Sequence, residues 1–179
     1  MNAWKINFLK YKSNKKCVHY SIFIDKGGLS MKLTNFAIVN MMNTLEKFAE
    51  KKLPQKISYA ITRNLILLQN DYNCYIKSLN KLFTDYDEYI VRDENKNIIS
   101  NDIGIPLVDS DVEKEFNEEI SNLLNIEIEL ELYHIPENVF DYEDTANRYD
   151  SLSAVDIMNL QGILCDQEGR KNDENNNEK

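Results

Sequence analysis

The chain has 179 residues, with 21 Lys and Arg against 30 Asp and Glu, for a net charge of −9. That balance excludes a general affinity for nucleic acid or for an anionic membrane surface. A hydrophobic content of 42% allows a packed core, while only 5 Gly and 3 Pro argue against a turn-rich β-sandwich or barrel.

Residues 1–30 carry six Lys and one Asp, a net of +5, whereas residues 31–179 carry 15 bases and 29 acids, a net of −14. The join reads Lys26-Gly27-Gly28-Leu29-Ser30-Met31. Lys-Gly-Gly can be encoded by a bacterial ribosome-binding sequence, here two codons before Met31. The expectation is that translation starts at Met31 and that residues 1–30 derive from leader sequence. The alternative is an N-terminal extension with a strand at residues 18–25. The scattered lysines at the start do not make a signal peptide. Cys17, Cys74 and Cys165 lack CxxC spacing, which points to reduced thiols in a cytoplasm, with Cys74 as a small apolar filler on a helix.

A first helix is expected from Thr34 or Asn35, either of which can cap it, to about Lys52, with Ile38, Met41, Leu45 and Phe48 stepping by 3, 4 and 3. Leu53-Pro54 breaks it, since Pro suits the first turn of a helix and not the interior. A second, long helix then runs over residues 55–90. Ile61, Leu65, Leu68, Tyr72, Tyr75, Leu79, Leu82, Tyr86 and Tyr89 step alternately by 4 and 3, the 3.5-residue repeat of a coiled-coil seam. Such a helix is roughly 55 Å long. Its four seam tyrosines suit a mixed seam against shorter helices or a second subunit, because a buried phenol needs a hydrogen-bond partner.

Residues 91–99 read as a turn between short extended segments, and 101–106 as a loop. A third helix begins at Asp109 or Ser110, with Val112, Phe116, Ile120, Leu123 and Leu124 on its apolar stripe and acids in its first turns, where the helix dipole favours them. Ile126, Ile128, Leu130 and Leu132 alternate with Glu127, Glu129 and Glu131, a half-buried strand with one acidic face. Ser153 to Asp156 is a capping box that opens a short fourth helix. Residues 166–179 are polar and expected to be disordered. No internal repeat is visible.

Lys52-Leu53-Pro54-Gln55-Lys56-Ile57-Ser58-Tyr59, with Asn64 following, resembles the helix-opening motif of a family of small phage and prophage proteins of Gram-positive bacteria, a domain of unknown function. Asp93-Glu94-Asn95 resembles the mid-chain turn of that family, with Lys96 at its Gly position. Phe116-Asn117-Glu118-Glu119-Ile120 with Leu123-Leu124-Asn125 resembles it too, as does Leu152-Ser153-Ala154-Val155-Asp156-Ile157 with Leu160. The resemblance covers roughly residues 31–164, with the acidic segment 137–150 as an insertion. It implies a phage origin, and it carries no catalytic residues.

Carboxylates are the main candidate chemistry. Glu127, Glu129 and Glu131 lie about 7 Å apart in successive pairs along a strand face and could hold a divalent cation; a solvated face is the simpler reading. Asp141, Glu143 and Asp144 cluster in a loop without EF-hand spacing, and Asp93, Asn95 and Asn97 imitate only the start of such a loop. His134 has no nucleophile partner by motif. Glu94-Asn95-Lys96 lacks the strand context of a metal-dependent nuclease. Residues 109–150 hold 14 acids against Lys114 and Arg148, while Lys47, Lys51, Lys52, Lys56 and Arg63 cluster around the first helix junction. Such polarity can steer a partner.

These readings give an α+β, mainly α fold: a long helix in a helical hairpin, packed by shorter helices, with a small antiparallel β element, in one domain over 31–165. The expected function is non-enzymatic, through contacts with a phage or host protein or a second copy of the chain, as a structural or assembly accessory in the host cytoplasm. The alternative is an acidic inhibitor that occupies the basic nucleic-acid groove of a host defence complex, and a metal hydrolase ranks last. No cofactor, nucleic acid or membrane is expected. The candidate partner-binding residues are Tyr72, Tyr75, Tyr86, Tyr89, Glu127, Glu129, Glu131, Asp141, Glu143 and Asp144.

Overall fold

A computed structural model describes residues 21–25, 28–102 and 104–165. The leader proposed for residues 1–30 and the tail 166–179 therefore fall largely or wholly outside the described residues. The fold is mainly helical. Its elements are strands β1 (Ser21–Asp25) and β2 (Gly28–Thr34), helices α1 (Asn35–Ala49), α2 (Gln55–Asp85) and α3 (Glu113–Leu124), strand β3 (Glu127–Leu130) and helix α4 (Ala154–Leu164). The strands form a three-stranded sheet in the order β1-β2-β3. The chain divides into two compact units, and α1, α2 and the sheet each contribute residues to both.

Thr34 begins α1, its Oγ1 accepting from the amide of Ala37 at 3.2 Å. Helix α2 follows Pro54, whose carbonyl accepts from Ile57 and Ser58. It runs unbroken for 31 residues and stops short of the expected Ile90, passing through a 3-10 turn at Asp87–Tyr89. Its buried residues are Ile57, Ile61, Asn64, Leu68, Tyr75, Leu79 and Phe83, with Ala60 beside them. Ile57, Leu68 and Leu79 are eleven residues apart, as are Asn64 and Tyr75. An eleven-residue spacing is about 3.67 residues per turn, close to a straight helix, whereas a strict seam needs 3.5. The buried stripe therefore drifts away from the heptad positions: Phe83 is inside, and Leu65 and Leu82 are only half-buried. Cys74, expected as a filler, is exposed on the outer face.

In the first unit, Tyr75, Leu79 and Phe83 of α2 form one cluster with Val39 of α1 and with Phe116 and Ile120 of α3. Helix α3 thus covers the C-terminal half of α2. Phe116 stands 6.2 Å from the ring of Phe83 and 5.1 Å from that of Tyr86. Asn35 donates through Nδ2 to the Leu123 carbonyl at 2.8 Å, and its amide donates to the Ile126 carbonyl at 3.0 Å, tying the start of α1 to the end of α3.

The same unit holds an internal repeat that the sequence did not reveal. Val91, Ile99 and Leu107, eight residues apart, close a ring of backbone hydrogen bonds: Val91 donates to Leu107 (2.9 Å), Leu107 to Ile99 (2.8 Å) and Ile99 to Val91 (3.0 Å). Three antiparallel bridges, Arg92–Ile98, Ser100–Pro106 and Ile90–Val108, join the same segments. Asp93, Asn101 and Asp109 each begin a tight turn, accepting through their carbonyls from Lys96, Gly104 and Val112. The side chains of Asp93 and Asn101 also accept from the amides four residues on, Asn97 (2.8 Å) and Ile105 (3.0 Å). The third turn leads into α3, so Asp109 serves the turn and Val112 is the N-cap, without a side-chain cap. This corrects the expected cap at Asp109 or Ser110.

Lys96 and Gly104 occupy the same turn position with φ of 64° and 87°. A side chain in this left-handed region costs about 1–2 kcal/mol, partly offset by the greater chain entropy of Gly. Lys96→Gly is expected to raise stability by about 0.5–1 kcal/mol, readable as a higher urea midpoint with an unchanged slope.

In the second unit, buried side chains come from α1 (Met41, Met42, Leu45, Phe48), the N-terminal half of α2 (Ile57, Ala60, Ile61, Leu68), the segment after β3 (Leu132, Ile135, Phe140) and α4 (Leu160, Ile163, Leu164). The expected capping box opens α4: Ser153 Oγ accepts from the Asp156 amide at 3.2 Å, and Asp156 Oδ2 accepts from the Ser153 amide at 3.1 Å. At the α1–α2 junction the amide of Lys52 donates to Asp150 Oδ2, while the amide of Asp150 donates to the Lys52 carbonyl, each at 2.8 Å.

Three carboxyls are held below the usual range by the hydrogen bonds they accept: Asp93 chiefly from the Asn97 side chain and amide, Asp144 from the amides of Arg148 and Tyr149, and Asp156 from Ser153. A depressed carboxyl stabilises the fold above its unfolded pKa and loses that contribution as pH falls through the folded one. The melting temperature is expected to hold from neutral pH and to drop below about pH 4. Asp93→Asn should flatten the acid limb of that profile in circular-dichroism melts.

Candidate functional site

Of the ten residues expected to meet a partner, Tyr72, Tyr75, Tyr86, Tyr89, Glu127 and Glu129 belong to the first unit and Glu131, Asp141, Glu143 and Asp144 to the second. Tyr75 is 2% exposed, with burial and then Tyr72 pushing its phenol well above the usual range. It is a core residue, which corrects its assignment to a contact surface: the drift of the helix carries it inward. Tyr72 is half-buried and packs against the same cluster. Tyr86 is half-buried against Phe116. Burial first, then Glu115 and Glu119, favours its protonated phenol. Tyr89 is exposed and lies beyond α2 in the 3-10 turn, its phenol hydrogen-bonded to Glu88.

Glu127 and Glu129 are exposed on β3; Glu131 is exposed but lies past the strand end. Ile126, expected inside, is half exposed, and Leu132 is buried. Asp144 is a local turn residue, its Oδ2 accepting from the Tyr149 amide at 2.7 Å. Asp141 and Glu143 are exposed. Among the described residues, no three His, Cys, Asp or Glu side chains stand close enough to share a metal ion.

The second unit also carries an open cavity. The inward positions Ile57, Ala60, Ile61 and Asn64 turn Lys56, Tyr59 and Arg63 outward at i, i+3 and i+7. Opposite the first turns of α2 lies the extended segment 131–136. It is pinned in three ways. Leu132 and Ile135 insert into the interior. The amide of Ile135 donates to the Leu164 carbonyl at 2.8 Å. Asn64, fully buried, donates through Nδ2 to the Tyr133 carbonyl at 2.9 Å and accepts at Oδ1 from the Tyr133 amide at 2.7 Å. That amide side chain pairs with the backbone as a neighbouring strand would.

With Leu132 and Ile135 turned inward, Tyr133 between them stays exposed, and its ring meets Tyr59 edge-on, centroids 5.4 Å apart and planes at 80°. The pair walls a half-open cavity of about 420 Å³. Ile135, Pro136 and Val139 supply further apolar lining, and Gln55, Lys56 and His134 supply polar groups. No carboxylate lines it among the described residues, although the exposed Glu137 directly follows the lining residue Pro136. Tyr59 and Tyr133 are 58% and 40% exposed, so two large rings are held at the surface by a rigid frame.

Sequence reasoning placed Lys56 in the basic cluster, Tyr59 and Asn64 in the family motif and His134 at a strand end, without joining them. The available signal was the outward spacing of Lys56, Tyr59 and Arg63, opposite an equally regular inward set. Among the described residues, no helix is long and apolar enough to cross a membrane. No family model matches the chain, and no curated protein or solved structure matches it.

Proposed function

We propose that the chain is a non-enzymatic protein that works through protein–protein contact. The observation that carries this reading is the Tyr59–Tyr133 pair: an exposed aromatic anchor site, fixed in advance by the Asn64 clamp and the buried Leu132 and Ile135. Binding energy at protein interfaces concentrates at aromatic residues and their pockets, and preorganisation lowers the entropy cost of association. The resemblance to small phage proteins favours a structural or assembly accessory, with a second copy of the chain as one form of partner.

The test compares proteins captured by the wild-type chain and by the Tyr59→Ala/Tyr133→Ala double variant in phage-infected cells. Capture of virion components by the wild type alone supports the reading. Identical capture by both would overturn it.

One observation favours the inhibitor alternative. Helix α3 exposes Glu113, Glu115, Glu118 and Glu119, and among the described residues its one ion pair is the solvent-exposed Lys114–Glu118 contact at 3.8 Å. Exposed pairs at that distance neutralise little. An acidic face of this kind would bind a basic nuclease groove with strong salt dependence. Reversal of Glu115 and Glu119 to Lys should then abolish binding to that nuclease and leave the contact through Tyr59 intact.

A further inference from the structure

The cavity continues into a stripe along α2. Lys56, Tyr59, Arg63 and Ile66 lie at i, i+3, i+7 and i+10 on its outward face. Ile66 is 61% exposed and Tyr59 58%, among the most exposed large hydrophobic residues of the chain. Two cations therefore alternate with two apolar groups over about 15 Å. Among the described residues neither Lys56 nor Arg63 forms an ion pair.

We propose that this stripe and the cavity at its N-terminal end bind an acidic peptide segment of a partner protein, with one apolar side chain seated against Tyr59 and Tyr133 and a second on Ile66. The inference rests on the protein-contact reading above and names the chemistry of the partner.

Charge complementarity selects that occupant. In a chain of net charge −9, an outward face with Lys56 and Arg63, and a cavity lined by Lys56 and by no carboxylate, is opposite in sign to the acidic segment 109–150. Such a face repels basic segments and draws carboxylates toward it. Size selects a segment rather than a domain. A volume near 420 Å³ is at the small end of ligand sites and takes one large side chain with its backbone. A peptide of about five extended residues then spans the stripe.

The test uses the full chain as bait for a random peptide display library. Selected peptides are then measured by fluorescence anisotropy against wild type, Tyr59→Ala and Lys56→Glu/Arg63→Glu. These positions are exposed, so the variants should keep the wild-type circular dichroism spectrum. The expected peptides pair Asp or Glu with aromatic or aliphatic residues. Their affinity should fall at least tenfold in each variant and weaken as salt is raised. Neutral or basic peptides that still depend on Tyr59 would overturn the acidic assignment and leave the protein-contact reading standing. Selection of no peptide that Tyr59→Ala loses would overturn both. A concentration-dependent dimer in sedimentation, lost in Tyr59→Ala, would replace the peptide with a second copy of the chain.

Discussion

Phe116→Ala is expected to lower stability by about 3–5 kcal/mol, the cost of emptying a buried aromatic site. Phe116 is 1% exposed and sits where three parts of the first unit meet: Phe83 on α2, Tyr86 just past its end, and the α3 backbone that carries it. The cavity left behind has no obvious way to collapse, because Tyr75, Leu79 and Ile120 around it are themselves fully packed. Chemical denaturation followed by far-ultraviolet circular dichroism checks the value. Phe116→Leu, which keeps most of the volume, should lose about half as much or less. A loss below about 1 kcal/mol for the alanine variant would mean that α3 is not held to α2 as described.

Asn64→Ala carries the second large effect, about 2–4 kcal/mol, by a different route. It removes both partners of the Tyr133 backbone, and each polar group left without a partner away from water costs about 1–3 kcal/mol. Asn64→Asp is the sharper probe. It keeps an acceptor for the Tyr133 amide and puts a carboxylate oxygen against the Tyr133 carbonyl, where a donor stood at 2.9 Å. It should destabilise at neutral pH and recover in part as the carboxylate is protonated. Loosening of segment 131–136 should also broaden the Tyr133 ring resonances in NMR spectra, a readout that a purely global loss of stability would not produce. An unchanged Tyr133 environment in Asn64→Ala would show that the buried Leu132 and Ile135 suffice to hold the segment.

The two variants bear on function differently. Phe116 belongs to the core of the first unit, whereas the aromatic cavity is lined by residues of the second. Asn64 holds one wall of it. A binding defect in Asn64→Ala at temperatures where the fold is intact therefore locates the contact in the second unit.

Much of the fold was legible before any coordinates. The Pro54 boundary, the α1 stripe, the apolar face of α3 and the Ser153–Asp156 box are local signals: each depends on periodicity or on a hydrogen bond within four residues, and each appears where expected. The exact buried face of α2 was not legible. Leu65, Leu82, Tyr86 and Tyr89 fit a heptad on paper, yet a straight helix advances about 20° per heptad relative to that pattern, so Asn64 and Phe83 took the inner positions. The repeat at Val91, Ile99 and Leu107 escaped because its three units share only an aliphatic residue and an Asp or Asn two places on. Lys96 also conceals the turn geometry that Gly104 displays.

The sequence by itself determined which segments are helical, where α1, α2 and α4 begin and which side chains can be buried, because backbone propensity, capping and amphipathic spacing act over a few residues. Only the tertiary structure decided which of those faces meet. It buried Tyr75, left Cys74 outside, and brought Tyr59 to Tyr133 across 74 residues of chain. Such pairings are set by the packing of distant elements and by one buried amide, Asn64, whose partner lies 69 residues away. Nothing in local sequence encodes that distance.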